Sequence, residues 1–425
     1  MDKIIKVVIA GLGDRGLNAY GEYMIKHPNQ YQIVGVADPI KSKIDKIRKS
    51  TSIDEKYCYK TAEEMFQEEK IADIAFICTQ DSAHLKHSVL AMEAGYDLIL
   101  EKPLGTTLDE SMKIYEKSIE LGRKVFVCHV LRYTRFYKKI KEIIMSGKLG
   151  EVVNISAKEN VGYYHQAHSY IRGNWRRKDI SSPMIVAKCC HDTDIVSWLI
   201  GKRCTQISSF GSLMYFNNNR APRGASKRCL DGCNAKKDCP YDAEKIYITN
   251  EVSGIRHGNL WPARAITNKE LTEENVMEAL LKGPYGRCVY YCDNDVVDHQ
   301  VVMMEFENGA CATLTMCGVT AEIKRDITVN CSLGEIVGDM DEQTLTITKF
   351  GQKPRTVDLS ENVESHVGHG GGDYWLMHDM YTYLIGKDIN NPSITSIKDS
   401  IHGHSIAFRS EDSRINNGRV IKIDI

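Results

Sequence analysis

The sequence lacks a long apolar run, and it lacks a large net charge of either sign. None of its apolar stretches approaches the roughly 20 residues that a membrane-spanning helix needs. Its formal net charge is −1, from 55 Lys and Arg against 56 Asp and Glu, so no overall field attracts nucleic acid or an anionic membrane. We therefore expect neither nucleic acid nor a membrane among its partners.

The amino terminus also lacks the features of a secretory signal peptide. The first residues, MDKIIKVVIAG, hold a short apolar stretch that leads into glycines, with no small-residue cleavage site. We therefore expect a cytoplasmic protein, whose 14 cysteines are first interpreted as packed thiols or metal ligands rather than disulfides. Internal repeats and low-complexity segments are also missing, and a length of 425 residues favours two or three domains.

A glycine-rich turn is the first positive signal. Residues 4–10 form an apolar run typical of a buried parallel strand, and the motif G-x-G-x-x-G follows at 11–16, before a helical segment. Glycines in this setting permit a tight turn and let backbone N–H groups approach a pyrophosphate at a helix N-terminus. The predicted cofactor-binding residues of this turn are Gly11, Gly13, Asp14, Arg15 and Gly16.

An acidic residue follows the second predicted strand. The apolar stretch 32–37 ends in Asp38, 22 residues after Gly16. A carboxylate at this place suits the adenosine ribose diol and repels a 2′-phosphate, which predicts NAD rather than NADP as the cofactor. The alternative is a glycine turn in another kind of α/β protein, with Asp38 present by chance.

Strand–helix alternation with short links continues to residue 128. This alternation predicts an α/β fold with a doubly wound parallel sheet, and residues 1–128 as an NAD-binding Rossmann domain. Thr79 and Gln80 follow the third predicted strand, at the sheet edge where ligands bind. We therefore add both residues to the predicted cofactor site.

A charged pair ends the fourth predicted strand. Glu101 and Lys102 follow the apolar stretch 97–100, and Pro103 comes next. A lysine in a partly dry site can exchange protons near neutral pH, which makes Lys102 a candidate for proton transfer beside the nicotinamide. A surface lysine at a strand end is the alternative.

The glycine turn, Asp38, the Thr79 turn with His84, and the motif EKPLG at 101–105 occur in this order. Together they resemble the glucose–fructose oxidoreductase, inositol dehydrogenase and rhizopine-catabolism (Gfo/Idh/MocA) family, over nearly the whole chain. The resemblance implies that Lys102 lies beside both nicotinamide and substrate, and it adds His84 and Glu101 to the cofactor-binding residues.

The second half of the chain changes its pattern. Long β-like stretches follow residue 128, and Asn308-Gly309 between two of them is a hairpin signal. The resemblance implies that residues 129–425 form an α/β domain with a large, mostly antiparallel sheet. One face of that sheet would cover the active site and the other would form a subunit interface, so we expect a homodimer or homotetramer.

A helical segment at 181–201 carries the second catalytic candidate, His191. The resemblance implies a catalytic histidine here, and many relatives place an Asp four residues earlier. This chain has Ala187 at that place and Lys188 next, so the usual Asp–His pair is absent. His191 then acts alone, with Lys188 or with a distant carboxylate, or it is an ordinary helix residue.

The segment 161–177 crowds aromatic, His and Arg residues into a loop-like stretch that would suit sugar rings. The alternative is a solvated basic face. Further pocket candidates follow the fifth strand, adjoin the helix or precede a glycine run. The predicted substrate residues are His129, Arg132, Tyr164, His165, His168, Arg172, Trp175, Lys188, Asp298, His299 and His369.

A cysteine-rich insertion spans about 214–290. Cys229, Cys233 and Cys239 lie within eleven residues, and Cys288 is a candidate fourth ligand, with Cys292 as the alternative. Four thiolates around a structural Zn²⁺ would organise a loop that buries little apolar surface. An iron–sulfur cluster is a weaker alternative, and free buried thiols are another.

These patterns and the family resemblance predict an NAD-dependent oxidoreductase that transfers hydride between nicotinamide and a hydroxyl-bearing carbon of a sugar, glycoside or cyclic polyol. The resemblance implies C3 of a pyranoside as the position. Two outcomes are open. One is simple sugar or inositol dehydrogenation, and the other is glycoside cleavage by oxidation, elimination, water addition and re-reduction. A non-catalytic NAD-binding regulator is the rival from another class, and it predicts loss of Lys102 and His191.

The cofactor assignment gives a direct test. The Asp38→Ala variant should bind NAD more weakly and discriminate less against NADP, because the carboxylate that contacts the ribose and repels the phosphate is lost. Fluorescence titration with both reduced dinucleotides measures this. Equal affinity of the wild-type protein for NADPH and NADH would contradict the role of Asp38.

Overall fold

The computed structural model describes residues 3–360 and 369–424, and its first part is built on a six-stranded parallel sheet. The strand order is β3-β2-β1-β4-β5-β6, with all pairs parallel. Helices on both faces bury these apolar strands, as the predicted doubly wound sheet requires. The strands are β1 (Ile5–Ala10), β2 (Tyr31–Ala37), β3 (Cys58–Tyr59), β4 (Ile74–Ile77), β5 (Asp97–Leu100) and β6 (Val125–Val127).

The second sheet has nine strands in the order β14-β13-β12-β11-β7-β10-β9-β8-β15. Strands β7 and β10 pair in parallel and the other pairs are antiparallel, which confirms the predicted mostly antiparallel sheet. Its strands are β7 (Val152–Asn160), β8 (Cys204–Ser212), β9 (His299–Phe306), β10 (Cys311–Cys317), β11 (Lys324–Cys331), β12 (Gly334–Asp339), β13 (Thr344–Lys349), β14 (Arg355–Asp358) and β15 (Ile421–Lys422).

The predicted hairpin at Asn308-Gly309 joins β9 to β10. Gly309 has φ +83°, and the Phe306 N–H donates to the Ala310 carbonyl across the turn. Residues along β9 alternate between buried and exposed, because one face of the sheet lies on the core and the other is open. The period-2 pattern therefore fixes which side chains of β9 face the core.

Thirteen α-helices accompany the sheets in the described part of the chain. Thr61 caps α3 in a capping box with Glu64, as its spacing predicts. The helices are α1 (Glu22–Lys26), α2 (Lys41–Lys49), α3 (Ala62–Gln67), α4 (His84–Glu93), α5 (Leu108–Glu120), α6 (Arg135–Met145), α7 (Tyr163–His165), α8 (Met184–Ala187), α9 (Cys190–Ile200), α10 (Trp261–Arg264), α11 (Glu273–Lys282), α12 (Gly372–Leu384) and α13 (Ile397–Ile415). Three π-helical turns are Asp14–Gly21, Gln166–Arg172 and Lys245–Thr249.

The last two helices return to the first domain. Leu376 and Met377 of α12 are buried in the core that covers one face of the parallel sheet. Ile397 and Ile401 of α13 join the core on the opposite face. Packing on the first sheet therefore includes C-terminal residues, although the predicted domain boundary at 128 assigns them to the second domain.

An ion pair joins the two halves where they meet. The Arg132 guanidinium binds the Asp194 carboxylate through two hydrogen bonds of 2.6 and 2.7 Å, and both side chains are buried. Arg132 lies in the turn after β6, and Asp194 lies on α9. This bidentate contact fixes α9, which carries His191, against the carboxyl edge of the parallel sheet.

Candidate active site

The three glycines of the first turn serve different purposes. Gly11 has φ +91°, and a Cβ there would lie 2.5 Å from the Cys78 carbonyl oxygen. A Cβ at Gly16 would lie 2.0 Å from the Gly11 carbonyl oxygen. A Cβ at Gly13, by contrast, would meet no protein atom within 4 Å. Packing within the protein therefore explains Gly11 and Gly16, whereas Gly13 leaves room for close approach of a ligand.

Asp38 lies at the carboxyl end of β2, beside this turn. Its buried carboxylate accepts hydrogen bonds of 2.8 Å from the Leu12 and Ile40 N–H groups, one on each oxygen. The Lys43 ammonium lies 4.0 Å away. Each carboxylate oxygen keeps a further lone pair, so Asp38 can still accept hydrogen bonds from a ribose diol.

The residues at this edge fit a dinucleotide. The sheet order and the glycine turn that leads into the helical Asp14–Gly21 segment are those of a Rossmann nucleotide site. The Asp14 carboxylate accepts a hydrogen bond from Asn18 at the surface. Gly13 and Asp38 are the residues that would approach the pyrophosphate and the ribose respectively.

Arg15, predicted to bind the cofactor, turns its side chain toward the protein. Its Nε donates to Glu101 at 2.7 Å, and its two terminal nitrogens donate to Asp373 at 2.8 and 2.6 Å. Tyr20 also donates to Glu101, at 2.5 Å. Burial alone would raise the pKa of Glu101, but the charges of Arg15 and Lys102 outweigh it, so the pKa lies below its ordinary value. Glu101 is therefore an ionised structural anchor.

Lys102 follows this anchor at the edge of the sheet. Its Nζ donates to the Ala187 carbonyl at 3.1 Å, and its backbone N–H donates to the Glu101 carboxylate at 3.0 Å. The peptide bond to Pro103 is cis. Lys102 is half-buried, and it reaches across from the first domain to the end of α8. The ammonium therefore lies between the two domains, where the predicted substrate would meet the cofactor.

His84 supports the turn that carries Lys102 and Pro103. Its Nδ1 lies 2.7 Å from the Pro103 carbonyl oxygen, and its Nε2 lies 3.1 Å from the Thr79 carbonyl oxygen. The Thr79 hydroxyl in turn lies 3.0 Å from His87 Nδ1. The imidazole of His84, predicted to contact the cofactor, thus joins the two turns that follow β4 and β5.

His191 lies in the same region, on α9. Its ring centroid is 5.7 Å from that of His129 and 5.9 Å from that of His369. Both ring nitrogens are buried and have no hydrogen-bond partner within the described residues. Burial and then the nearby charge of Lys102 lower the pKa of His191 well below its ordinary value. A neutral imidazole with free hydrogen-bonding capacity can accept a hydrogen bond from a bound hydroxyl group.

A hydrogen-bonded chain runs behind His191. His129 Nε2 lies 2.8 Å from the Ser400 hydroxyl, which lies 3.1 Å from His404 Nδ1. The Leu104 N–H donates to His404 Nε2 at 3.1 Å, which places the proton of neutral His404 on Nδ1. Ser400 and His404 were not among the predicted site residues, because the local sequence of α13 does not indicate that this helix packs against the Lys102 turn.

Lys188, on the helix side of the site, has an ion-pair partner. Its Nζ lies 3.2 Å from Glu159, whose other oxygen lies 2.7 Å from Arg325. Arg325 also binds Asp192, at 2.9 Å. These two carboxylates therefore pair with Lys188 and Arg325, and neither makes a hydrogen bond to His191. Glu159 was also missed, although a charged residue at an inward-facing position of β7 is a usable signal.

Several predicted substrate residues are engaged in the protein interior. The buried Asp298 carboxylate accepts a 2.6 Å hydrogen bond from the Tyr215 N–H, and its other oxygen lies 2.8 Å from His299 Nδ1. Arg132 is held by Asp194, as described above. These contacts anchor the start of the insertion and the domain junction. The prediction that they face the substrate is not supported by this geometry.

The aromatic loop at 161–177 also places several predicted substrate residues in the protein interior. Arg172 is fully buried, and its guanidinium donates to the carbonyls of Arg287 and Tyr241 at 2.7 Å each. His168 Nδ1 lies 2.9 Å from the Tyr247 hydroxyl. Both side chains, with the buried Tyr164, therefore lie in the core between the loop and the insertion rather than in an open pocket.

Trp175 lies at a cleft between the domains. Its indole N–H donates to Asp81 at 2.9 Å, and the Ser181 hydroxyl donates to the same carboxylate oxygen. Gln80 also lines this cleft, which has a volume of about 410 Å³. The structure thus brings Gln80 and Trp175, predicted from different domains, to one opening at the carboxyl end of β4.

The predicted zinc site is not assembled. Across residues 3–360 and 369–424, no group of three or more His, Cys, Asp or Glu side chains is placed to hold a metal ion. Cys229 and Cys288 are buried and lie on paired segments. The backbone N–H of Cys229 donates to the Gly286 carbonyl, and the backbone N–H of Cys288 donates to the Lys227 carbonyl. Arg172 donates to the Cys229 sulfur at 3.6 Å. Among the described residues, a packed core with a buried guanidinium thus organises this region. The other predicted ligands are Cys233 and Cys239, both half-buried.

Comparison with known proteins agrees with this fold. The family model described as "Oxidoreductase family, NAD-binding Rossmann fold" matches residues 5–129, and the model described as "Oxidoreductase family, C-terminal alpha/beta domain" matches residues 141–396. The chain therefore belongs to the Gfo/Idh/MocA oxidoreductase family, as the sequence motifs predicted.

The individual relatives share a low sequence identity with this chain. The chain is 24% identical over 402 residues to the oxidoreductase YteT of Bacillus subtilis (strain 168), covering 90% of this chain and 89% of YteT. It is 25% identical over 218 residues to the NAD⁺-dependent scyllo-inositol 2-dehydrogenase of the same organism, covering 50% of this chain and 59% of that enzyme. The structure of a levoglucosan dehydrogenase, in complex with NADH and levoglucosan, has a TM-score of 0.72 at 14% identity over the full length of both chains. The protein is thus an NAD-binding oxidoreductase similar to sugar and inositol dehydrogenases.

None of the helices in the described residues is long and apolar enough to span a membrane.

The buried histidines predict a pH dependence of stability. Burial lowers the pKa of His129 and His191 well below the ordinary value, and that of His168 and His404 to about 3. Below about pH 6.5 the unfolded chain therefore binds more protons than the folded chain, so stability falls as the pH falls. Each such histidine contributes a loss of about 1.4 kcal/mol per pH unit within this window.

Urea unfolding at pH 7.5 and pH 5.5 measures this loss, at pH values above the range in which carboxylates with ordinary pKa values titrate. The His404→Gln variant should show a shallower dependence than the wild-type protein. Equal free energies of unfolding at the two pH values would contradict the neutral, buried state of these imidazoles.

Proposed function

We propose that the protein is an NAD-dependent dehydrogenase that acts on a hydroxyl group of a sugar, glycoside or cyclic polyol. The observation that carries the proposal is the juxtaposition of Lys102 and His191 at the carboxyl edge of the dinucleotide-binding sheet. Similarity to inositol and levoglucosan dehydrogenases supports the substrate class. NAD, when bound, supplies the hydride acceptor.

The chain's own residues hold the hydroxyl group and manage its proton. Lys102 Nζ reaches the space between the domains and orients the reacting hydroxyl. The hydroxyl proton is then taken up by the neutral amine form of Lys102, directly or through His191, whose imidazole is neutral and has no competing hydrogen bond among the described residues. The His129–Ser400–His404 chain holds the region behind His191 in place, because it ends on the Leu104 N–H, two residues after Lys102.

A second outcome, redox-assisted glycoside cleavage, is favoured by one specific observation. His165 Nδ1, like His129 Nδ1 and both ring nitrogens of His191, is a buried imidazole nitrogen without a hydrogen-bond partner among the described residues. After oxidation at C3, one such base could remove the acidified C2 proton while the anomeric substituent leaves as an alcohol, and water and hydride would then restore the sugar. This sequence needs more proton-transfer groups than dehydrogenation alone, and the site has them.

A non-catalytic regulator would need neither group, so activity separates the classes. The protein incubated with NAD⁺ and a panel of free sugars, inositols and glycosides should give either reduced nicotinamide, the signature of net oxidation, or a released aglycone without net reduction. Binding of NADH without either product on any compound would favour the regulator.

Lys102 provides the mutational test. The Lys102→Ala variant should retain its fold and bind NADH, but lose about 10²–10⁴-fold in turnover, which is the usual contribution of a general acid–base group. The matched control is Lys113→Ala, since Lys113 forms a surface ion pair with Asp109 on α5 and lies outside the site. Near wild-type turnover of the Lys102 variant would remove this residue from the mechanism.

We also propose that the open face of the nine-stranded sheet is a subunit interface. Phe210 on β8 pairs directly with Val301 on β9, and their exposures are 58% and 41%. Val153, Met303 and Val337 are also exposed on strands of this sheet. Burial of these side chains would remove apolar surface from water, and a second copy of the chain is the occupant that the family resemblance implies.

Light scattering after size-exclusion chromatography tests the interface. The wild-type protein should be a dimer or tetramer at micromolar concentration, and the Val301→Glu/Met303→Glu double variant should shift toward the monomer because it places charge in the apolar face. Ile119→Glu, at an exposed apolar position on α5, is the control. A monomeric wild-type protein would contradict the interface.

A further inference from the structure

Trp261, on α10 of the insertion, packs against the aromatic loop of the second domain. Its ring centroid lies 4.8 Å from that of His165 and 5.2 Å from that of His168, with both imidazoles near perpendicular to the indole. Trp261 nevertheless remains 36% exposed. Part of this large aromatic surface is therefore available to something other than the protein.

The insertion holds Trp261 rigidly in this place. The next two residues, Pro262 and Ala263, are buried, and Ala263 joins the core that the insertion shares with the loop. Tyr285 of the insertion stacks on His168 at 5.0 Å, nearly parallel to it. These contacts fix the backbone that follows the indole and the imidazole against which it packs, so its open part is a preorganised surface.

His165 connects this surface with the reaction site. Its Nδ1 is buried without a hydrogen-bond partner in the described chain. The His165 ring lies 5.8 Å from that of Tyr170, which lies 6.4 Å from that of Trp175 at the cleft between the domains. A chain of ring contacts therefore leads from Trp261 on the insertion, through His165, to the cleft at the carboxyl end of β4.

We propose that Trp261 and His165 form a second carbohydrate subsite, which takes the part of a glycoside beyond the ring that is oxidised. This inference rests on the proposed function and extends it. The C–H face of a pyranose or the ring of an aromatic aglycone would lie on the exposed part of the indole, and a hydroxyl group would bond to His165 Nδ1. The preferred substrate is therefore a disaccharide or larger glycoside rather than a free monosaccharide or inositol.

Calorimetric titration of the protein–NADH complex tests the subsite without relying on turnover. The probes are glucose and galactose, their methyl and p-nitrophenyl glycosides, and the disaccharides cellobiose, maltose and lactose. At least one disaccharide or p-nitrophenyl glycoside should bind more tightly than its parent monosaccharide. Trp261→Ala should reduce that advantage by about threefold to tenfold, the range of a specific aromatic contact, and leave the monosaccharide affinity unchanged.

Two further variants separate stacking from folding. Trp261→Phe should recover most of the lost affinity, because it restores an aromatic face. Tyr291→Ala is the matched control, since Tyr291 is 38% exposed just beyond the insertion and has no ring contact with His165 or His168. NADH affinity should be the same for all variants if the fold is retained.

The inference is overturned if no glycoside binds more tightly than its parent sugar, or if Trp261→Ala weakens both equally or not at all. The proposed function fails separately, if no sugar, inositol or glycoside gives reduced nicotinamide or a released aglycone. A protein that oxidises free sugars and is indifferent to Trp261 would therefore keep the function and lose the subsite.

Discussion

The buried charge of Glu101 is the constraint on which the catalytic edge depends. A carboxylate that is only 5% exposed must be surrounded by cations and donors, or it would be strongly destabilising. Arg15 and Tyr20 supply these contacts from the segment that follows the glycine turn, and Asp373 pairs with the rest of the Arg15 guanidinium. One network therefore connects the cofactor-binding turn, the Lys102 turn and the start of α12. Because His369 Nδ1 lies 3.3 Å from the Asp373 carboxylate, this network also positions the imidazole that neighbours His191.

The rest of the site contains two kinds of buried polar group, carboxylates with arginine partners and imidazoles without hydrogen-bond partners in the described structure. Glu159, Asp192 and Asp194 each have an arginine partner, so the buried carboxylates hold the scaffold together. His191 and His165, by contrast, keep ring nitrogens without partners in the described structure. An unpaired buried polar group costs free energy, and such groups are retained where a ligand completes their hydrogen bonds. The buried acids are therefore structural, and under the proposed function the imidazoles are the groups that meet the substrate.

The insertion between β8 and β9 changes the shape of the site without adding a metal centre that the described residues can form. Arg172, His168 and Tyr164 of the loop are used to pack the insertion, which removes them from the open pocket. The insertion also places the Trp261 ring 4.8 Å from the ring of His165. Residues that would contact a small polyol directly thus become the support for a larger aromatic surface.

Local pattern alone determined much of this protein. Apolar runs followed by glycine, Asp38 or the Glu101–Lys102 pair predicted the parallel sheet and its ligand edge, because burial on both faces and strand-end polarity are properties of short segments. The partners of those residues were decided by tertiary structure. Arg15 meets Asp373 across 358 positions, and Leu104 meets His404 across 300, so no local spacing could reveal either contact. The same holds for Arg172 and Asp298: their residue types suit a sugar pocket, but only the packing of the insertion decides whether a guanidinium or carboxylate faces a ligand or satisfies buried backbone groups.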